Sequence, residues 1–283
     1  MIIGNNKELV IANIKKAAEE GRFNEKVEVD DPNLTSEQKR AIIRKYFNNR
    51  KSLKYRCLNM IAVMIINFVT LVENRNTRII GIENLKSAKN GAVITSNHFN
   101  PLDNTAIRKC VRKAGHKRLF IVSQETNLAM KGIIGFIMNY ADIIPISSSS
   151  EYMGKYFEGI IHKLLKRRHY VLIYPEQEMW FNYRKPRPLK RGAYFYAAKN
   201  NVPVVPCFVE IRKLKQKETE QFYRVQFVVH IMPPIYPEHD KNVRENSVIM
   251  MQKDYELKKA AYERAYGKKL TYKFEKTDIA GWI

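Results

Sequence analysis

The 283-residue chain is short of cysteine and short of acid, and each shortage argues something away. Its three cysteines, Cys57, Cys110 and Cys207, are far apart and odd in number, and none sits in a Cys-x-x-Cys pair. That pattern argues against a disulfide framework and a structural zinc site, and fits a reducing compartment. His116, His162, His169, His230 and His239 are scattered without metal-ligand spacing, so no metal is expected. Gly-rich phosphate loops of the G-x-G-x-x-G or Walker type are missing, and so is a Gly-x-Ser-x-Gly nucleophile elbow. Residues 1–50 are polar and rich in Lys, Glu and Asn, without the basic, apolar and cleavage regions of a signal peptide. No internal repeat, low-complexity tract or strong linker interrupts the chain.

The deficit of acid leaves 50 Lys and Arg against 28 Asp and Glu, a formal charge of +22. Such an excess predicts attraction to polyanions, namely nucleic acid, anionic lipid or phosphorylated small molecules, beside the plainer reading of a solvated basic surface. A nucleic-acid binder needs aromatics interleaved with its cations on one surface. Only residues 180–191 offer that, so nucleic acid is not the expected partner. A hydrophobic content of 45% and this length suit one α/β domain with an appendage and a large core.

Residues 7–20 and 36–48 read as polar helices, the second capped by Thr35 or Ser36 with Glu37 in its first turn, and 29–33 reads as the loop between them. Residues 57–72 form the most hydrophobic segment, shorter than the ~20 residues a spanning helix needs. On a helical wheel Asn59, Asn67 and Thr70 fall on one narrow stripe with Arg56 and Glu73, and apolar residues cover the rest. Such a helix can lie in a membrane interface, or it can pack on a sheet as a core helix. From residue 77 onward strands alternate with helices. Candidate strands are 77–81, 92–95, 118–122, 142–146, 170–174, 204–209 and 223–232; candidate helices are 102–114, 129–140, 151–168, 190–200 and 242–266. Continuous Val/Ile runs separated by helices indicate an α/β sheet buried on both faces.

One stretch crowds polar groups at the end of such a strand: Thr-Ser-Asn-His-Phe-Asn-Pro-Leu-Asp-Asn, residues 95–104. Sites in open α/β sheets lie at the carboxyl ends of strands, and His98 falls just past one. Pro101 suits the first turn of the next helix, where Asp103 is favoured by the helix dipole. Asp103 can accept the Nδ1–H of His98 and leave Nε2 free as a general base. With no serine elbow and no base evident beside Cys110 or Cys207, the natural chemistry is direct: His98 deprotonates a substrate alcohol, which attacks an activated acyl group. Taken alone, the His-x-x-x-x-Asp spacing also fits a histidine that ends a strand and an aspartate that satisfies helix amides.

Asn97-His98-Phe-Asn-Pro-Leu-Asp103 resembles the first motif of the lysophosphatidic acid / glycerolipid acyltransferase family. Residues 132–146, Gly-Ile-Ile-Gly-Phe-Ile-Met-Asn-Tyr-Ala-Asp-Ile-Ile-Pro-Ile, resemble the segment that leads through the second motif. Tyr174-Pro175-Glu176 resembles the start of the third. Leu189-Lys-Arg-Gly-Ala193 and Val202-Pro203-Val-Val-Pro206 resemble the end of the third and the fourth. The four occur in family order across roughly 75–235, and ordered motifs are far more specific than one. The resemblance implies a mixed α/β sheet flanked by helices, with an active-site tunnel and a basic mouth. It implies acyl transfer from acyl-CoA or acyl carrier protein, with no other cofactor, to a hydroxyl of a lysophospholipid such as 1-acyl-glycerol-3-phosphate in phospholipid biosynthesis. It also implies an anionic membrane surface as partner, met at the cytoplasmic face by a peripheral or monotopic protein. The expected organisation is an N-terminal helical segment over 1–75, with a membrane-associating helix near 54–74, and a catalytic domain over 76–283 that includes a C-terminal helix.

Two departures stand out. Where the second motif ends in an acidic residue and an arginine this chain has Ser147 and Ser148, and where the third continues Glu-Gly-x-Arg it has Glu176-Gln177-Glu178-Met179. The resemblance implies that those arginines hold the acceptor's phosphate, so the head group of the acceptor is left open. Residues 184–191 offer a replacement: Arg184, Lys185, Arg187, Lys190 and Arg191 lie beside Trp180 and Tyr183, with arginine forks suited to phosphate. The expected site therefore comprises His98 as base, Asp103 to orient it, Asn97 and Asn100 to shape it, Glu176 to position the acceptor, and the five basic residues as phosphate contacts. Gly192 permits close backbone approach and Pro206 shapes the fourth motif. Ser147 to Ser150 reads as a helix start, and the apolar residues of 130–138 as core or acyl-tunnel lining. The alternative is a basic lipid-binding protein that kept the fold after its acceptor motifs changed.

Overall fold

Period-two burial along the strands builds two cores, one on each face of a single sheet. Ala92 and Ile94 enter one core while Val93 enters the other, and Tyr170, Val171 and Leu172 alternate likewise. The computed structural model describes residues 6–29, 32–115 and 118–283. Asp30 and Asp31 of the expected 29–33 loop, and His116, lie outside the described residues.

Helices α1 (Lys7–Glu19), α2 (Ser36–Arg50) and α3 (Leu53–Glu73) precede the sheet. Then follow β1 (Arg78–Ile80), α4 (Ile82–Ser87), β2 (Ala92–Thr95), α5 (Asp103–Lys113), β3 (Leu119–Gln124), a 3-10 turn (Glu125–Ala129), α6 (Gly132–Tyr140) and β4 (Ile143–Ile146). A short α7 (Ser150–Tyr152) runs through a π turn (Met153–Phe157) into α8 (Glu158–Lys166). The chain ends with β5 (Tyr170–Ile173), α9 (Gly192–Lys199), β6 (Val204–Lys217), β7 (Tyr223–Ile231), α10 (Val243–Tyr266) and a 3-10 turn at Lys276–Asp278. The strand order is β1-β7-β6-β2-β5-β3-β4, and every pairing is parallel except β6 with β7. α5 packs on the first core and α8 to α10 on the second, so β2 lies deep between helix layers.

All seven expected strands are present, with two corrections of extent. β6 continues to Lys217 because residues 212–217, charged and solvent-exposed, pair with β7 beyond the core, where burial leaves no signal in the sequence. The helix expected over 151–168 is interrupted by the π turn. Caps hold as read: Thr35 Oγ1 accepts from Gln38 N at 3.3 Å, and the Gln38 side chain accepts from Thr35 N at 2.8 Å.

α3 is long and apolar enough to cross a membrane by length and composition. It is longer than the sequence suggested, and its polar stripe faces the protein. The Asn59 amide donates to Asp142 Oδ1 at 3.0 Å and to the Tyr140 carbonyl, Thr70 is buried, and Asn74 at the helix end donates to Thr105 Oγ1 of α5 at 2.7 Å. The apolar arc points outward instead: Met60, Met64, Phe68 and Leu71 are each 62–68% exposed. A soluble amphipathic helix has the opposite arrangement. α6 packs on α3 through Phe136, Ile137 and Tyr140 and adds exposed Ile133 and Ile134, so part of the apolar 130–138 run is surface.

Gly135 makes the turn into α6 possible, because a Cβ there would stand 1.8 Å from the Met130 carbonyl oxygen. Gly135→Ala is expected to displace α6 and lower stability by about 1–3 kcal/mol, read as a fall in the chemical or thermal unfolding midpoint.

Candidate active site

The chain leaves β2 at Thr95 and enters α5 at Asp103, and the intervening loop carries the site. His98 Nδ1 lies 2.7 Å from Asp103 Oδ2. An ionised carboxylate only accepts, so Nδ1 carries the proton and Nε2 keeps its lone pair. Asp103 Oδ2 also accepts from the amides of Phe99 (2.9 Å) and Asn100 (3.3 Å), and Oδ1 accepts from the Tyr174 hydroxyl at 2.6 Å. The carboxylate thus serves both as orienter of His98 and as acceptor for amides at the helix start, the two readings the spacing had left open. The Tyr174 ring stacks on the imidazole with centroids 4.0 Å apart. Burial first, then the charge of Asp103, pushes the Tyr174 phenol well above its ordinary value, so it stays a donor. The His98 side chain is 23% exposed, and Nε2 has no partner among the described residues.

The loop backbone is fixed from several sides. The buried Asn97 side chain exchanges bonds with Val209 of β6, donating to its carbonyl at 3.1 Å and accepting from its amide at 2.8 Å. Asn100 Oδ1 accepts from Leu102 N at 3.0 Å, and the amides of Trp180 and Asn182 donate to the carbonyls of His98 (3.1 Å) and Phe99 (2.8 Å). Both asparagines hold the loop from inside, with their side chains turned to the protein. Glu176 is also inside: Oε2 accepts from His98 N at 3.3 Å and from Arg187 Nε at 3.1 Å, and Oε1 accepts from Arg187 N at 2.9 Å. It positions the catalytic loop rather than an acceptor, which corrects the sequence reading.

The basic run divides. Lys185 is buried with its ammonium 2.6 Å from Asp278 and 2.7 Å from the Lys273 carbonyl. Arg187 is buried over the Trp180 ring, paired with Glu176 and bonded to the carbonyls of Phe23 (2.9 Å) and Glu178. Burial lowers its pKa, partly offset by Glu176. Arg184 donates to the carbonyls of Ile211 and Thr277. Lys185 and Arg187 are thus held inside the protein, whereas Arg184 is half-buried and bonded only to carbonyls. Lys190 and Arg191 are exposed where the chain enters α9. Gly192 has open space where a Cβ would stand. Pro206 is buried in β6 opposite Thr95 of β2. Gln177, where the resemblance places a glycine, adopts a left-handed φ of 69°, which a glycine takes without strain.

Composition and spacing had not singled out several other groups. Thr95 Oγ1 and the Tyr194 hydroxyl both donate to Asp254, at 2.6 and 2.5 Å, and the fully buried Lys258 ammonium pairs with Asp254 at 2.9 Å, clamping the end of β2 to α9 and α10. An Asp and a Lys four apart on α10 signal a helix-surface pair, not a buried one. Burial pushes the Cys207 thiol up to about 12 and Cys110 well above its ordinary value, so neither provides a ready thiolate.

The family model described as Acyltransferase matches residues 76–210, from the turn before β1 into β6 and across the whole His98 site. The matched stretch covers just under half of the chain. The chain's fold is similar to the crystal structure of the 1-acyl-sn-glycerophosphate (LPA) acyltransferase PlsC from Thermotoga maritima, with a TM-score of 0.53, 16% identity, and coverage of 80% of this chain and 88% of that one. No curated protein matches the sequence.

Removing one partner of a buried pair leaves the other charge uncompensated. Glu176→Gln is therefore expected to destabilise by about 3 kcal/mol and to slow turnover, and Glu176→Gln with Arg187→Met to recover part of the stability but not the rate. Chemical denaturation and initial-rate assays of both variants check this.

Proposed function

We propose that the protein moves a fatty acyl group from a thioester donor, acyl-CoA or acyl carrier protein, to a hydroxyl of a lysophospholipid such as 1-acyl-glycerol-3-phosphate, within phospholipid biosynthesis. The observation that carries this reading is the half-open His98 ring, held through Nδ1 by Asp103 with Nε2 unpartnered. Nε2 takes the proton of the acceptor hydroxyl, and its oxygen attacks the thioester carbonyl carbon. The C–S bond of the tetrahedral intermediate then breaks, and the imidazolium returns its proton to the departing thiolate. Asp103 and Tyr174 hold the ring through the cycle, and Asp103 offsets the positive charge that develops on it.

The reading includes an anionic membrane at the cytoplasmic face, met from one side. Outward Met60, Met64, Phe68 and Leu71, with Ile133 and Ile134 on the adjoining helix, support contact with lipid. Bonds from α3 to the catalytic layer near its start, at Asn59, and at its end, at Asn74, support a helix that lies in the interface rather than crossing it. The +22 charge supports attraction to anionic headgroups, and three free thiols, one of them exposed, support a reducing compartment.

Thiol release from acyl-CoA and from acyl carrier protein, with lysophosphatidic acid and a panel of other lysophospholipids, tests the reaction. Turnover is expected in the wild type and a loss of at least about 1,000-fold in His98→Ala. Folded, vesicle-bound protein with no turnover toward any acceptor would leave a lipid-binding protein of the same fold. The double change Met64→Glu, Phe68→Glu is expected to abolish co-sedimentation with anionic vesicles while leaving the thermal midpoint unchanged, since both side chains already face solvent.

A further inference from the structure

A cleft of about 370 Å³ opens between α2, the 3-10 turn after β3 and α6. α2 supplies Ile42 and Lys45 to its wall, the turn supplies Leu128 and Ala129, and α6 supplies Phe136 and Tyr140. The volume falls within the range of about 300–1,000 Å³ that small-molecule sites occupy. None of His98, Asp103, Tyr174 and Glu176 lines the cleft, so it stands apart from the catalytic loop. One of its walls, α2, also precedes the matched stretch 76–210.

The lining decides what fills it. Its one side-chain amide, Asn139, already donates to the carbonyls of Leu128 (2.9 Å) and Gly135 (2.8 Å). No lining residue carries a buried polar side-chain atom without a partner, so the interior makes no demand for a polar guest. Gly132 adds room, since a Cβ there would meet nothing within 4 Å. Such an interior suits a chain of methylene groups, for which burial alone is the driving force.

The rim is different. Lys45 is exposed, and so is Lys131, which stands between the lining residues Met130 and Gly132. Among the described residues neither forms an ion pair. α2 carries Lys39, Arg40, Arg44, Lys45 and Arg50 against the single acid Glu37. An anionic head group complements this rim and a cationic one is repelled by it. Phe136 and Tyr140 pack on α3 as well as lining the cleft, and Ile133 and Ile134, 65% and 42% exposed, follow Gly132 on the outside of α6. The cleft is therefore continuous with the outward apolar surface of α3 and α6.

We propose that this cleft holds one acyl chain of an anionic phospholipid drawn from the bilayer, with Lys45 and Lys131 at the lipid's charged head, as a binding site separate from the catalytic one. The inference rests on the lipid-facing reading of α3 and α6 for the source of the lipid, but its test on monomeric lipid needs neither vesicles nor turnover. A lipid so held joins α2 to α6, and makes residence on a membrane depend on the kind of lipid as well as on apolar contact.

The test titrates the full chain calorimetrically with monomeric dioctanoyl phosphatidylglycerol and, separately, with dioctanoyl phosphatidylcholine. Wild type, Lys45→Glu and Ala129→Phe are compared. Saturable binding of the anionic lipid is expected in the wild type. Ala129→Phe puts a ring into the space of the guest and is expected to weaken both lipids by roughly 10-fold or more. Lys45→Glu is expected to weaken phosphatidylglycerol about 10-fold and to leave phosphatidylcholine unchanged. The double change Met64→Glu, Phe68→Glu is expected to keep its affinity for the monomer, so that cleft binding and vesicle binding fail independently. Vesicles carrying a phosphatidylglycerol with a photoreactive diazirine in its acyl chain give a second measurement, with cross-links expected on residues 42–45 and 128–136 besides α3. Cross-links confined to α3 overturn the proposal, as does a wild type that binds neither monomeric lipid. Affinities unchanged in both variants, or an equal loss for the two lipids in Lys45→Glu, overturn it as well. Displacement of the bound lipid by palmitoyl-CoA would give the cleft to the donor's chain and overturn it too. Should Ala129→Phe not fold, the surface change Lys45→Glu and the cross-links decide.

Discussion

The carboxylate of Asp103 is the group on which the site depends. It takes the imidazole of His98, two loop amides and the hydroxyl of Tyr174 at once, so a single side chain sets the histidine's tautomer, the loop's shape and the stacking partner. It can do this only because it stands at the first position of α5, where amides converge and the dipole favours negative charge. α5 in turn is fixed by its apolar face on the sheet and by α3 on its other side.

The contacts that hold this loop reach far along the chain. Glu176 holds the His98 amide and is itself held by Arg187, while Phe23, Asn24 and Glu25 satisfy Arg187, the Glu176 carbonyl and Trp180. α1 packs on Trp180, Phe181 and Tyr183, and Ala280 closes the far side through Asn182. Residues 7–25 therefore help to support the site, although they end about fifty residues before the matched stretch begins.

The sheet was legible in the sequence because its strands are short apolar runs between helices, and buried strands of that kind carry a strong signal. The exposed end of β6 carried none. The His98–Asp103 pair was legible because its spacing coincides with a strand end and a helix start. The basic run 184–191 misled, because a sequence displays cations without their partners: Asp278 lies far along the chain from Lys185, and Glu176 reaches Arg187 only across a folded loop. Likewise the polar stripe of α3 was visible, but not which way it faced.

The long reach of the contacts that hold His98 bears on how the protein matures during synthesis. The Arg187 to Phe23 bond spans 164 residues and the Asn182 to Ala280 bond spans 98. Such closures are slow relative to local folding and cannot form before their later partner has been made. A nascent chain that already carries His98 and Asp103 still lacks the loop that fixes them, and Trp180, Phe181 and Tyr183 have no cover on one side until Ile279 has left the ribosome. The site is completed only after Ile279 and Ala280 have been made, and until then the aromatic side chains of residues 180–183 remain an uncovered apolar surface.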